Sequence, residues 1–199
     1  MIIRPLTVYE REAVRHFYLA LVPDDRRKRF CCSLSDETVS SYVDRIDFTR
    51  DTILAAFDEQ ARIIGLAELV RGAGVGEMAF SVLPDMRCQR IGTQLMEGLL
   101  RRAKICGIRK VFVVFLPDNT PMRRMASRAG MALSFVEGEA YAERELPAAS
   151  ADELTRWLIE ESLAHGGYFG TLGMARWNLL LRSSASAAPT SLHPPVPTA

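Results

Sequence analysis

The 199 residues carry 25 lysines and arginines against 24 aspartates and glutamates, with 48% hydrophobic and 8% aromatic residues. That is enough chain for one domain, or one domain with a tail, built on a sizeable core. A net charge of +1 gives no field to gather nucleic acid or an anionic membrane, and no apolar run nears the roughly 18 residues a spanning helix needs.

In chain order, Ile2–Leu6 reads as a short strand and Val8–Leu21 as a helix with Val14, Phe17, Tyr18 and Leu21 on one face, ended by Pro23. A second helix fits Asp36–Ile46, capped by Ser33 or Ser35. Ile53–Asp58 and Arg62–Val70 pair as strands around a turn at Glu59-Gln60. The glycine cluster from Gly72 to Gly76 then turns the chain into a third strand, Glu77–Leu83. That cluster lies between strands rather than before a helix, so it is a hairpin and not a dinucleotide loop. Pro84-Asp85 ends the strand, because a residue before proline is pushed out of helical geometry.

After the polar segment Met86–Arg90, an amphipathic helix opens at Ile91. Leu95, Met96, Leu99, Leu100, Ala103 and Cys106 continue its apolar stripe as far as Gly107. Arg109–Leu116 is nearly all apolar, the pattern of a strand buried on both faces. Asn119-Thr120 caps a helix over Pro121–Ala129, Gly130 stops it, and Ala132–Phe135 and Ala140–Leu146 close the domain as strands. Pro147–Ser150 is a hinge to an appended helix, Asp152–His165, within a segment at 151–182. Residues 183–199, rich in Ser, Ala and Pro, hold too little apolar surface to order. The appended helix packs on the domain or makes a dimer contact, so the expected state is monomer or homodimer.

Met1-Ile2-Ile3-Arg4-Pro5 lacks the basic flank and apolar stretch of an export signal. The cysteines Cys31, Cys32, Cys88 and Cys106 have no C-x-x-C spacing, and the three histidines are scattered. They read as reduced thiols in a cytoplasmic protein with no metal site. No histidine near Cys88 in sequence would activate it, so it is a plain loop cysteine. Of the basic residues 22 are Arg and 3 are Lys. Interleaved with acids as they are, these arginines fit compositional bias better than phosphate recognition, and the near-zero net charge argues against nucleic-acid binding.

The strand–turn–helix around 77–106 carries the chemistry. A helix N-terminus offers unpaired N–H groups and the positive end of its dipole, which suit a phosphate or diphosphate. The loop before it supplies Arg87, Gln89 and Arg90, and Gly92-Thr93 permits close backbone approach. The alternative is a solvated loop and a tolerated glycine. Arg26-Arg27-Lys28-Arg29 either recognises acidic substrate surface or a phosphate, or is a solvated helix end, with Phe30 plugging it to the core.

The element order, with Arg87-Cys88-Gln89-Arg90-Ile91-Gly92 opening the long helix, Asn119-Thr120-Pro121-Met122 the next, and Ala129-Gly130-Met131 closing it, resembles the GNAT acetyltransferase superfamily over residues 2–146. Arg26–Phe30, Gly76–Val82 and the Asn119-x-Pro121-Met122 pattern look most like the Pat-type protein lysine acetyltransferase domains. The resemblance implies an α/β GNAT fold, a mixed, mostly antiparallel sheet with a splayed central strand pair flanked by helices. It implies acetyl-CoA as cosubstrate, held by backbone groups of Phe80, Val82 and Leu83, by the amides of Arg87, Gln89, Arg90, Ile91, Gly92 and Thr93, and near Asn119. Direct transfer would follow to a primary amine, chiefly a protein lysine, or else to a small-molecule amine. A non-catalytic acyl-CoA sensor or partner-docking module is the rival.

Glu77 matches the Pat-type base, its pKa raised by burial; the alternative is a strand-end glutamate facing solvent, with Glu68 as a fallback base or a surface residue. Ala126 stands where many relatives carry a tyrosine acid. Arg90 stands at the family's first loop glycine, where a positive φ costs about 1–2 kcal/mol. Met131 in place of the family's phenylalanine is a mild core exchange.

Overall fold

The computed structural model describes residues 1–159. The chain divides into two compact units, Met1–Leu154 and Thr155–Ala199. Of the appended segment, residues 151–159 are helical. The remainder of that segment and the Ser/Ala/Pro stretch lie outside the described residues.

The first unit is built on one seven-stranded sheet. Its strands are β1 (Ile2–Pro5), β2 (Thr52–Phe57), β3 (Ile63–Arg71), β4 (Val75–Val82), β5 (Lys110–Phe115), β6 (Ala132–Val136) and β7 (Glu139–Glu145). They lie in the order β1-β2-β3-β4-β5-β7-β6. Every neighbouring pair is antiparallel except β4–β5. Helices α1 (Arg11–Leu19), α2 (Pro23–Phe30) and α3 (Asp36–Asp44) cover one face, and α4 (Ile91–Ile105) and α5 (Thr120–Arg128) the other. This is the GNAT fold, as the resemblance implied.

Local chemistry explains the elements. The alternating side chains of β5 bury Val111, Val113 and Phe115 against the α4–α5 layer. Ile91, Leu95, Met96, Leu99 and Ala103 form the buried stripe of α4, and truncating such a leucine to alanine typically costs about 2–5 kcal/mol. Asn119 accepts the Met122 N–H at 3.2 Å, and Ser35, of the two serines considered, accepts the Thr38 N–H at 3.3 Å, so α5 and α3 begin as the sequence suggests. Arg11 donates to the carbonyls of Asp44 and Ile46 at 2.9 and 3.0 Å, satisfying the otherwise unpaired C-terminal end of α3. At the glycine cluster Gly72 N–H meets the Val75 carbonyl at 2.8 Å, which makes the expected hairpin.

One helix differs from expectation. Pro23 does not merely end α1; it opens α2 at the first helical turn, where a missing N–H costs nothing. Asp24 and Asp25 stand at the positive end of α2 and Arg27, Lys28 and Arg29 at its negative end, so the dipole is matched at both. Its basic run is paired along its length: Arg26 and Arg29 are largely withdrawn from solvent, while Arg27 and Lys28 make their pairs at the surface. Arg26 pairs with Asp36 at 2.5 Å, Arg27 with Asp118 at 2.6 Å, Lys28 with Asp24 at 2.5 Å and Arg29 with Glu68 at 2.8 Å.

Candidate active site

The central feature is a slot between β4 and β5. The two strands pair only at Val75–Lys110, Gly76–Val111 and Glu77–Phe112. Beyond Glu77 they part, while each stays fully paired on its other side, β4 with β3 and β5 with β7.

The phase of the ladders decides which backbone groups face the gap. Val75 accepts from Gly72 N–H at 2.8 Å and Leu83 N–H donates to Ile64 at 3.0 Å, so the odd residues of β4 bond to β3. Phe80 and Val82 therefore turn their N–H and C=O groups into the slot, as expected of them. On β5, Leu146 N–H donates to Arg109 at 2.7 Å. By the same alternation Val114 faces the slot from the opposite side. Leu83 is a correction: its N–H goes to Ile64, and its carbonyl accepts Met86 N–H at 3.0 Å, so neither is left for a ligand.

At the open end of the slot lies the N-terminus of α4. Arg87 N–H is taken by the Pro84 carbonyl at 3.2 Å, a second correction. Among the described residues the N–H groups of Cys88, Gln89, Arg90, Ile91, Gly92 and Thr93 have no backbone acceptor. Arg90 sits at φ 62°, ψ 10°, left-handed, immediately before the right-handed turn of Ile91. That sequence of conformations turns successive N–H groups to one side and makes an anion cradle, reinforced by the dipole of a 15-residue helix. The close approach expected at Gly92 is made to α5: a Cβ there would lie 3.1 Å from Met125 Sδ. Asn119 commits its Oδ1 to capping α5, so only its Nδ2 remains for a ligand.

Glu77 is the last paired residue before the strands part, so its position is the vertex of the slot. It is exposed, not buried as the sequence reading had it. Glu68 is the reverse. Expected at the surface, it is 1% exposed. Tyr18 donates to its Oε1 at 2.5 Å, Arg29 to its Oε2 at 2.8 Å, and Tyr42 also to Oε2. Burial pushes the Tyr18 and Tyr42 hydroxyls up from their ordinary pKa. Burial opposes the charge of Arg29, yet Tyr18, Glu68 and Tyr42 hold it well above its ordinary value. Three donors thus hold Glu68 in place within the layer beneath the slot, where it also lines a cavity with Tyr42 and Val70.

Sequence reasoning missed several groups around the slot. Asp25 forms an ion pair with Arg87, whose Nε also reaches the Val82 carbonyl at 3.4 Å. With Arg27–Asp118 on the opposite side, α2 is tied to the loops after both β4 and β5. Cys31 Sγ lies 3.8 Å from the slot-facing Val114 carbonyl, and burial, then the nearby Glu139 carboxylate, pushes its thiol up. Ser81 Oγ and Asp25 Oδ2 are buried with no hydrogen-bond partner among the described residues. Unpaired polar atoms beside an open strand edge and a row of free amides fit a long ligand with amide and diphosphate groups. Among the described residues there is no cluster of three metal-ligating side chains, and no helix is long and apolar enough to cross a membrane.

Comparison with known proteins gives the same picture. The model of the acetyltransferase (GNAT) family matches residues 13–131. The solved GNAT domain of S. lividans PAT is similar at 27% identity, TM-score 0.62, covering 72% of this chain and 89% of that one. A phosphinothricin acetyltransferase from Sinorhizobium meliloti, solved in complex with AcCoA, shares the fold at 19% identity and TM-score 0.57, covering 75% and 90%. A ribosomal-protein-alanine N-acetyltransferase from Brucella melitensis does so at 15% identity and TM-score 0.58, covering 73% and 100%.

Proposed function

The chain belongs to the acetyltransferase (GNAT) family, enzymes that move an acyl group from acetyl-CoA to an amine, and from that premise we propose that a protein lysine is the acceptor and Glu77 its base. The observation that carries this reading is the place where β4 and β5 part, immediately after Glu77. Acetyl-CoA supplies the activated acyl thioester. Phe80 would hold its amide arm by its backbone N–H and C=O and Val82 by its N–H, the Val82 carbonyl being reached by Arg87, with Ser81 Oγ and Asn119 Nδ2 at hand. The N–H groups of Cys88 to Thr93 would hold its diphosphate.

A lysine arrives as an ammonium ion and has no lone pair to attack with until a proton leaves. The ordinary pKa of lysine exceeds that of glutamate by about 6 units, so an exposed carboxylate is a poor base for it. The proton need not stay on the carboxylate: it can be passed onward through water to solvent, and the exposed Glu77 at the vertex of the slot fits such a relay. Beside it Val70, its partner on β3, borders a cavity of about 180 Å³ with Tyr42, Arg45 and Asp51, room for part of an acceptor. Ala126 is fully buried and carries no acid to the slot.

A protein acceptor rests on the Pat-like sequence of Gly76–Val82 and Asn119–Met122, together with the likeness to the S. lividans domain. Glu77→Gln keeps acetyl-CoA affinity by calorimetry and loses about 10²- to 10⁴-fold in turnover, the usual range for a general base. Unchanged turnover removes Glu77 from the reaction. Mass spectrometry of a lysate treated with protein and acetyl-CoA then identifies the acetylated side chains; acetyl-CoA binding with no thiol release on any acceptor leaves the sensor reading instead.

A further inference from the structure

Among the described residues nothing covers the strand at one end of the sheet. β6 is the outermost strand beyond β7. All five of its residues are exposed, and none is charged. Leu133 is 38%, Phe135 59% and Val136 52% exposed. Edge strands ordinarily carry a charge, a proline or a bulge that deters pairing with another chain. β6 has none of these.

The hairpin shows which backbone groups are free. Glu137 and Gly138 lie at φ 50° and 86°, a two-residue turn of the primed kind, so Val136 and Glu139 bond directly across it. Bonding to β7 then recurs at Ser134 and Ala132. The β5–β7 ladder gives the same phase from the other side, since Leu146 N–H donates to Arg109. The N–H and C=O groups of Leu133 and Phe135 therefore point off the sheet, two donor–acceptor pairs about 7 Å apart along the strand.

Charge lies beside them. Leu133 pairs with Ala142 and Phe135 with Ala140, so their side chains are on the α5 side of the sheet. There Arg123, Arg124, Ser127 and Arg128 line a shallow depression of about 360 Å³ together with Leu133. Many arginines of this unit are matched to carboxylates, as Arg15, Arg27, Arg50 and Arg62 are. Among the described residues no carboxylate pairs with Arg123, Arg124 or Arg128.

We propose that this edge binds an extended acidic segment of a partner protein as an added strand. Leu133 and Phe135 supply the backbone pairing, and alternate side chains of the guest fall on the α5 face. Carboxylates there meet the three arginines, and an apolar residue covers Phe135. A second copy of this chain fits less well. Pairing β6 with β6 about a two-fold axis sets both α5 helices on the same face and brings six arginines of like charge together. β7 and β5 separate this edge from the slot, so the proposal stands apart from the acetyl-transfer reading.

The test uses a fluorescein-labelled peptide, Glu-Thr-Phe-Thr-Glu-Thr-Glu, and a control with lysine in place of each glutamate. Anisotropy is measured with the full chain. The acidic peptide is expected to saturate the protein at low salt, to weaken at least tenfold at high salt, and to bind at least tenfold tighter than the control. The double variant R124E/R128E is expected to invert that preference. Leu133→Pro removes an N–H that has no partner within the domain, and is expected to weaken binding at least tenfold while acetyl-CoA binding at the slot persists. Equal binding of the two peptides overturns the proposal, as does indifference to R124E/R128E. It is overturned too by a wild-type dimer in sedimentation that Leu133→Pro turns into a monomer, since a second copy then owns the edge.

Discussion

Arg90 holds the entrance of α4 in a conformation that its own Cβ disfavours. At φ 62° the left-handed region costs a residue with a side chain about 1–2 kcal/mol, and Cys88, two residues earlier, stands at the same angle. The return on that strain is a loop whose amides face outward together, ready for an anion. Arg90→Gly relieves the strain while adding unfolded-state freedom. It is expected to raise stability by about 1 kcal/mol, read as a higher urea midpoint, and to leave acetyl-CoA affinity in calorimetry close to wild type, because the strain is already carried by the free protein. Weaker binding would mark the guanidinium itself as a phosphate ligand. Glu77 lies at the opposite end of the slot, exposed at its vertex, so the role proposed for it rests on position alone.

Among the elements, β4, α4 and β5 were plain from sequence because hydrophobic period, Pro84 and Gly107 all agree on their limits. α2 was not. In Pro23–Phe30 the only large apolar residue is Phe30, so no stripe announces a helix; the usable signal was proline followed by two acids and then four bases. The burial of Glu68 was hidden for a different reason. Its partners Tyr18, Tyr42 and Arg29 are 50, 26 and 39 residues away in sequence, and only the fold brings them together. The same holds for Leu83 and Arg87, whose amides are spent on Ile64 and Pro84 by ladder phase and turn geometry that no residue type reveals. Glu68→Gln leaves Arg29 charged and buried without its counter-ion, and is expected to cost about 3–5 kcal/mol in denaturant unfolding. Tyr42→Phe removes two hydrogen bonds, one donated to Glu68 and one accepted from Arg29, and is expected to cost about 2–3 kcal/mol.

At the scale of the whole molecule, one unit contains a continuous sheet with a local fault in it. Strand pairing runs unbroken from β1 to β4 and from β5 to β6, and only the seam between β4 and β5 is left partly open. The two sides of β4 are therefore expected to differ in hydrogen exchange. Ala79 and Ser81 amides, bonded to β3, exchange slowly; those of Phe80 and Val82 exchange fast and become protected when acetyl-CoA is added. Fast exchange at Phe80 and Val82 that persists at saturating acetyl-CoA places the cosubstrate elsewhere.

The seam is also spanned from outside. Asp25 holds the loop after β4 through Arg87, and Arg27 holds the loop after β5 through Asp118. Two positions of one short helix, Asp25 and Arg27, thus reach the loops on either side of the seam with opposite charges. An exchange at Asp25 or Arg27 that looks harmless on a surface helix is therefore expected to loosen one of the two loops that border the seam.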